Sequence, residues 1–279
     1  RARAAVVPVH ENGRISAVKG ERVDVPQPPF WGVRTLNAVD VRELWPCFDL
    51  KSLYRLSWGA SNTKGEAFDT LVREEFEPRL HAYQSEAAST GVLQPRVVYG
   101  YFPAAGTGND VILFDPNDHA REIARFPFAR QIGGDHLSLA DYLREPSEGR
   151  ATDLVALQIV TVGTPSTHRT DELQAAGDYS ESYFLHGFSV QSAEALAEWT
   201  HRRIRTELRL DPERGKRYSW GYGACPDLSQ HEIAFRLLEA EERIGISLTE
   251  AFQIIPEQST AAIIMHHPRA SYFNAAAVR

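Results

Sequence analysis

Cysteine is scarce in this 279-residue chain: Cys47 and Cys225 are the only two, and they lie far apart. That pair makes neither a disulfide framework nor a zinc ligand set, and a reducing, cytoplasmic setting fits best. Long apolar runs are missing as well. Nothing approaches the roughly 18 consecutive apolar residues of a membrane span, and no signal-peptide pattern is present. Positive charge is in deficit, with 30 basic residues against 37 acidic ones and a net charge of −7. This balance argues against nucleic acid as the main partner, because phosphate binding needs a basic surface. Lysine is rare within the basic set, at positions 19, 51, 64 and 216 only, a compositional bias that points to no function. The first residue is Arg1 and the sole methionine is Met265, so the chain is expected to be a piece of a longer protein.

What is present suits a globular core: 43 % of residues are hydrophobic and 10 % aromatic. The length is large for one core but within the range of a single domain. Residues 1–30 are polar and proline-bearing, and read as an extended arm or linker with room for one short edge strand. Residues 31–279 read as the domain proper. Phe68, Leu71, Val72, Phe76, Leu80 and Tyr83 recur at helical spacing and predict a long helix over 66–89, with Pro78 expected to kink it and Gly91 to end it. Two strand-like runs follow, at 97–102 and 111–114. Between them, residues 104–110 invite comparison with a phosphate-cradling loop, but lack that motif's lysine and downstream spacing. The glycines and Asn109-Asp110 read as a hairpin turn. The almost wholly apolar run 154–162 suits a central strand. A second long helix is expected over 182–208, a third over 227–243 with capping-box spacing between Ser229 and Glu232, and a short strand over 261–265. Helices and strands mix without a βαβ rhythm, so the fold class is α+β with a largely antiparallel sheet.

Chemistry concentrates where Arg217, Tyr218, Ser219, Trp220, Gly221, Tyr222 and Gly223 run into Ala224, Cys225, Pro226 and Asp227. Glycines let backbone approach a ligand closely, and an arginine holds a carboxylate through two parallel hydrogen bonds. The last four residues read equally as a helix start. Cys225 has no base nearby in sequence, so nothing marks it as reactive. The His266-His267 pair has no third ligand at a metal-binding spacing and reads as packing or loop structure. Asp49 reads as a helix cap or surface charge, and Glu194 and Glu198 as charges on one helix face.

The 217–227 segment fits the pattern R-x-x-x-G-Y-x-A-C-P followed by an acid. In this it resembles the C-terminal S-adenosylmethionine-binding activation domain of cobalamin-dependent methionine synthase. Four other places share the likeness: Pro28 to Gly32; Phe48-Asp49-Leu50 with Leu56 to Gly59; Ala193 to Trp199; and His266 to Phe273. Together they span most of the chain. The resemblance implies a single α+β domain with a twisted, largely antiparallel sheet flanked by long helices, C-shaped with an open ligand cleft. It implies that Arg217 holds the methionyl carboxylate, that Asp49 pairs with the ammonium, and that Glu194 faces the ligand. Ser219 and Gly221 would offer backbone groups, Tyr272 and Phe273 would lie against the nucleoside, and Tyr222 would stand near the transferring methyl. Ser219-Trp220 departs from members that carry small residues or proline there, which leaves a side-chain role for Trp220 without support.

The implied activity is a methyltransferase repair reaction. An electron from flavodoxin or a similar donor and a methyl group from S-adenosylmethionine return inactive cob(II)alamin to methylcobalamin. Cobalamin would be held mainly by another domain of the same enzyme, and zinc would belong to domains absent here. The chain alone would bind ligand without turnover. No general base is needed, which fits the lack of a Ser-His-Asp or paired-acid motif. Two further readings stand beside this one: a separately encoded activation subunit or corrinoid-protein docking module, and an unrelated hydrolase or structural domain.

Overall fold

The computed structural model describes residues 16–19, 21 and 23–275. After β1 (Gly32–Leu36) the chain forms α1 (Leu50–Ser52), α2 (Glu66–Leu71) and α3 (Glu77–Thr90). The meander β2 (Arg96–Thr107), β3 (Asp110–Asp115) and β4 (Asp118–Pro127) follows, then β5 (Asp153–Thr161), α4 (Pro165–Ala175) and α5 (Tyr179–Glu207). Next come β6 (Lys216–Ser219), α6 (His231–Leu238), α7 (Ala240–Ile244), the two-residue strands β7 (Ser247–Leu248) and β8 (Ile254–Ile255), and β9 (Ser259–Met265).

The main sheet has seven strands in the order β4-β3-β2-β5-β9-β6, with β1 also on β2, and every pairing is antiparallel. Strand β2 serves two neighbours in succession along one side: Val97–Tyr101 pairs with β1, and Ala104–Thr107 with β3. Its other side pairs with β5, the central strand expected at 154–162. Strand alternation divides the core. Val97, Tyr99, Tyr101, Ala156 and Ile264 face α3 and α5. Val98, Phe102, Val155, Leu157 and Ile263 face α6 and α7. This is the expected α+β single domain.

Helix α5 lies across the sheet and is fixed at three points. Gln158, fully buried on β5, donates Nε2 to Ala197 O at 3.0 Å. Trp58 donates Nε1 to Phe184 O at 3.0 Å. Gly187 admits that indole, since a Cβ there would stand 2.9 Å from Trp58 Cδ1. Phe188 stacks on Phe48, centroids 5.7 Å apart, and so seats the segment leading into Asp49.

The structure revises several local expectations. The helix over 66–89 is interrupted by a π-type turn, Val72–Phe76, and Pro78 falls in the first turn of α3. The widened turn accommodates a ring that would otherwise clash with the carbonyl four residues back. Residues 104–107 continue β2, so the turn expected over 104–110 shrinks to Gly108 and Asn109. The continuous helix over 227–243 breaks at Glu239, in the left-handed region with φ 52°. Leu238 and Ala240, on either side of the break, are both fully buried. Asp227 caps the start by accepting from the Ser229 N–H at 2.9 Å, in place of the expected Ser229–Glu232 box. Of residues 1–30, those from 1 to 15 lie outside the described residues. No strand forms among the described residues from 16 to 30, although Val18 enters the core and Arg144 and Arg214 donate to the carbonyls of Val23 and Asp24.

Candidate functional site

Strand β6 ends the sheet, so one row of its backbone groups faces away from β9. Arg217 and Ser219 alternate onto the same face, opposite Ile264 and Ala262. Ile264 belongs to the α5 side of the core, so the Arg217 guanidinium turns toward α5. There Nη1 and Nη2 both donate to Glu194 Oε2 at 3.2 Å, and Nη1 lies 3.4 Å from Ser219 Oγ. Glu194 therefore binds end-on through one oxygen. The side-on edge formed by Nε and Nη2, the edge that pairs with a carboxylate in a fork, has no acceptor at Nε among the described residues. The Arg217 side chain is 15 % exposed, so the pair sits at the surface's inner rim.

Gly221 turns the chain just past β6. Its φ is +89°, and a Cβ would meet Leu228 Cδ2 at 3.1 Å. Gly221→Ala is therefore expected to destabilise the domain by about 1–2 kcal/mol, read as a shift in urea midpoint at unchanged slope. The Gly221 N–H donates to Cys225 O, and the Cys225 N–H to Tyr222 O, each at 2.9 Å. The expected backbone offer from Gly221 is thus corrected: its N–H is spent within the turn. Gly223 serves an internal close approach, its Cα facing Asn274, where a Cβ would stand 3.0 Å from the Asn274 Cα. The turn leaves Tyr222 67 % exposed. The charge of Glu194 raises the Tyr222 phenol above its ordinary range, against the opposing charge of Arg217.

The 271–275 segment packs against β6 and the turn after it. Tyr218, beside Arg217 on β6, donates to Ser271 O at 2.8 Å, and the Ala275 N–H donates to Gly223 O at 2.8 Å. Tyr272 meets the Tyr218 ring edge-on at 5.7 Å and is itself exposed. Phe273 turns inward, against Tyr142 and Tyr218. The structure thus brings Arg217, Glu194 and Ser219 together on one face of β6, with Tyr222 exposed in the turn that follows; Tyr272 packs on Tyr218, whose side chain alternates to the other face.

Asp49 stands apart from this group. Its carboxylate caps α1, accepting from Ser52 N at 3.0 Å and Ser52 Oγ at 2.7 Å, and those bonds hold it below the usual carboxylate range. Its backbone neighbours place it on α5 all the same: Phe48 stacks on Phe188, and Pro46 O accepts from Arg202, on either side of Glu194 along the helix. Trp220 is core, donating Nε1 to Gln230 at 2.9 Å. Cys225 is buried and its thiol is pushed up to about 12 by desolvation, in keeping with an unreactive role. His266 is buried against Asp153 at 2.6 Å, and His267 lies next to Tyr142. Among the described residues no cluster of His, Cys, Asp and Glu is arranged to hold a metal, and no helix is long and apolar enough to cross a membrane.

Sequence reasoning named Glu198 but overlooked the cations around it. Glu198 Oε1 accepts from Arg202 Nε at 3.0 Å and lies 3.8 Å from Arg205 Nη1. Burial opposes its charge, but His201, Arg202 and Arg205 together outweigh that and bring the carboxyl down to about 2. His201 Nδ1 is 3.7 Å from Glu198 Oε2, while burial lowers the imidazole's own basicity. A signal was available for Arg202, which stands four residues after Glu198 on the helix.

Residues 37–279 match the family model of the vitamin B12 dependent methionine synthase activation domain. The methionine synthase of Mycobacterium tuberculosis (strain ATCC 25618 / H37Rv) is 40 % identical over 279 aligned residues, covering 90 % of this chain and 23 % of that protein. The methionine synthase of Mycobacterium leprae (strain TN) is 39 % identical with the same coverage. The chain thus spans about a quarter of the length of these curated relatives. A crystal structure of the MetH reactivation domain bound to AdoHcy shares the fold, with a TM-score of 0.78 at 24 % identity, over 91 % of this chain and 84 % of that one. These matches set aside the reading as an unrelated hydrolase or structural domain. The chain belongs to the vitamin B12 dependent methionine synthase activation domain family.

Proposed function

We propose that this chain is the S-adenosylmethionine-binding activation module of a cobalamin-dependent methionine synthase, serving the reductive methylation of inactive cob(II)alamin. The observation that carries the reading is Arg217, whose guanidinium is held end-on by Glu194 with its side-on edge open. An α-amino acid brings a carboxylate and an ammonium together. The open edge of Arg217 accepts the first, and Glu194 the second. Asp49, whose neighbours Pro46 and Phe48 pack against α5, adds negative charge toward the ammonium. Tyr272 offers exposed ring surface for an adenosine group, with Phe273 packed inward beside it, and the outer edge of β6, with Ser219, lies alongside for backbone contacts.

When bound, S-adenosylmethionine supplies an electrophilic methyl group, and cobalamin, held mainly by another domain, supplies the nucleophile. The residues of this chain grip, orient and expose. Arg217 and Glu194 fix the amino-acid end, and Tyr222, projecting at the rim, borders the position from which the methyl would leave. No side chain moves a proton in such a transfer, so the task is alignment. In this reading residues 1–30 are the arm joining the domain, 31–279, to the cobalamin-binding module. A flavodoxin or similar redox protein supplies the electron, the setting is cytoplasmic, and neither nucleic acid nor a membrane is a partner.

Calorimetric titration of the chain with S-adenosylmethionine tests the proposal. Saturable one-site binding, competed by AdoHcy and without methyl turnover, is the expected result. A folded chain that takes up no ligand at millimolar concentration would overturn it.

A further inference from the structure

Arg217 stands before a helix face that carries more than one carboxylate. Glu194 and Glu198 are one turn apart on α5, with Cβ atoms separated by roughly 6 Å. Arg217 binds Glu194 at 3.2 Å, and Glu198 is the next carboxylate along that face. Yet Glu198 is held by other cations, Arg202 at 3.0 Å and Arg205 at 3.8 Å. Arg205 is itself anchored: Nε donates to Arg214 O at 3.1 Å and Nη2 to Gly215 O at 3.4 Å, just ahead of β6. Its side chain is only 13 % exposed.

We propose that Arg205 is a positioning residue for Arg217: it keeps the Glu198 carboxylate engaged, so that the open edge of Arg217 remains available to the ligand's carboxylate. This rests on the proposed function of the site. The physical ground is competition. A carboxylate on the same helix face acts as an intramolecular ligand at high effective concentration, and a guanidinium fork pairs with whichever carboxylate reaches it. Without Arg205, Glu198 keeps the exposed Arg202 and the weakly basic His201, and turns toward Arg217.

A double-mutant cycle in the intact chain, read by S-adenosylmethionine titration, tests this. Arg205→Met is expected to weaken binding about tenfold. Glu198→Gln alone should stay within about threefold of wild type, and the double variant should return to that level, because the competitor is gone. Arg202→Met, on the exposed side, should weaken binding by a smaller factor and be rescued in the same way, which keeps the test open if Arg205→Met folds poorly. A double variant as weak as Arg205→Met would overturn the inference, since the loss would then come from the Arg214 and Gly215 carbonyls. Wild type that binds no S-adenosylmethionine would instead sink the proposed function itself.

Discussion

Arg217→Ala is expected to weaken S-adenosylmethionine binding by roughly 1.5–3 kcal/mol, the scale of a hydrogen bond to a charged group, or about 10- to 150-fold in Kd. The size follows from what the side chain does twice. It offers the ligand a fork, and it neutralises Glu194, whose Oε2 accepts from both terminal nitrogens. Removing it leaves that carboxylate facing the ligand's own carboxylate. Arg217→Lys should recover little of the loss, because an ammonium satisfies one oxygen where the planar fork satisfies two. Stability should change far less than affinity, since the residue lies on an edge strand and is partly exposed. Calorimetry of the three chains, with circular dichroism to confirm folding, checks this. An Arg217→Ala affinity within a factor of two of wild type would remove Arg217 from the site.

The sequence made the sheet legible wherever one strand met two covered faces. The run at 154–162 could only be a central strand, and β5 is buried along its whole length. The helix α5 was visible in its apolar spacing, though it starts at Tyr179. Helix α4 escaped notice because Pro165–Ala175 carries no apolar stripe and buries only Ser166 and Thr170. The break at Glu239 was hidden for another reason. Local propensity favours a helix there, and the left-handed residue shows only in the folded backbone. For the site, resemblance supplied Arg217, Glu194, Tyr222 and Tyr272, and strand alternation explains why the first two meet. What no linear reading held was the state of each group once packed. Asp49 has its oxygens on Ser52, and the Gly221 N–H is consumed in its own turn. Arg205, which owes its place to a loop ahead of β6, is recognisable only in three dimensions.

Phe188→Ala is expected to cost about 3–5 kcal/mol of stability, the largest effect of any single change proposed. The ring is fully buried. It stacks on Phe48 at 5.7 Å, lies 5.3 Å from Tyr83 and 6.2 Å from Trp45. Those neighbours are rigid rings on separate elements, so the cavity closes poorly and the loss stays near the upper end of the range. Urea unfolding at constant slope measures it, and Phe188→Leu should retain more than half of the difference. The same variant also bears on the site. Phe48 precedes Asp49, and its stack on Phe188 is what holds that segment against α5. If Asp49 contributes charge to ligand binding, Phe188→Ala should weaken binding several-fold under conditions where the domain remains folded, and Asp49→Asn should show a similar deficit that does not add to it. If affinity is untouched while stability falls, Asp49 is a helix cap alone, and the amino-acid end of the ligand depends on Arg217 and Glu194.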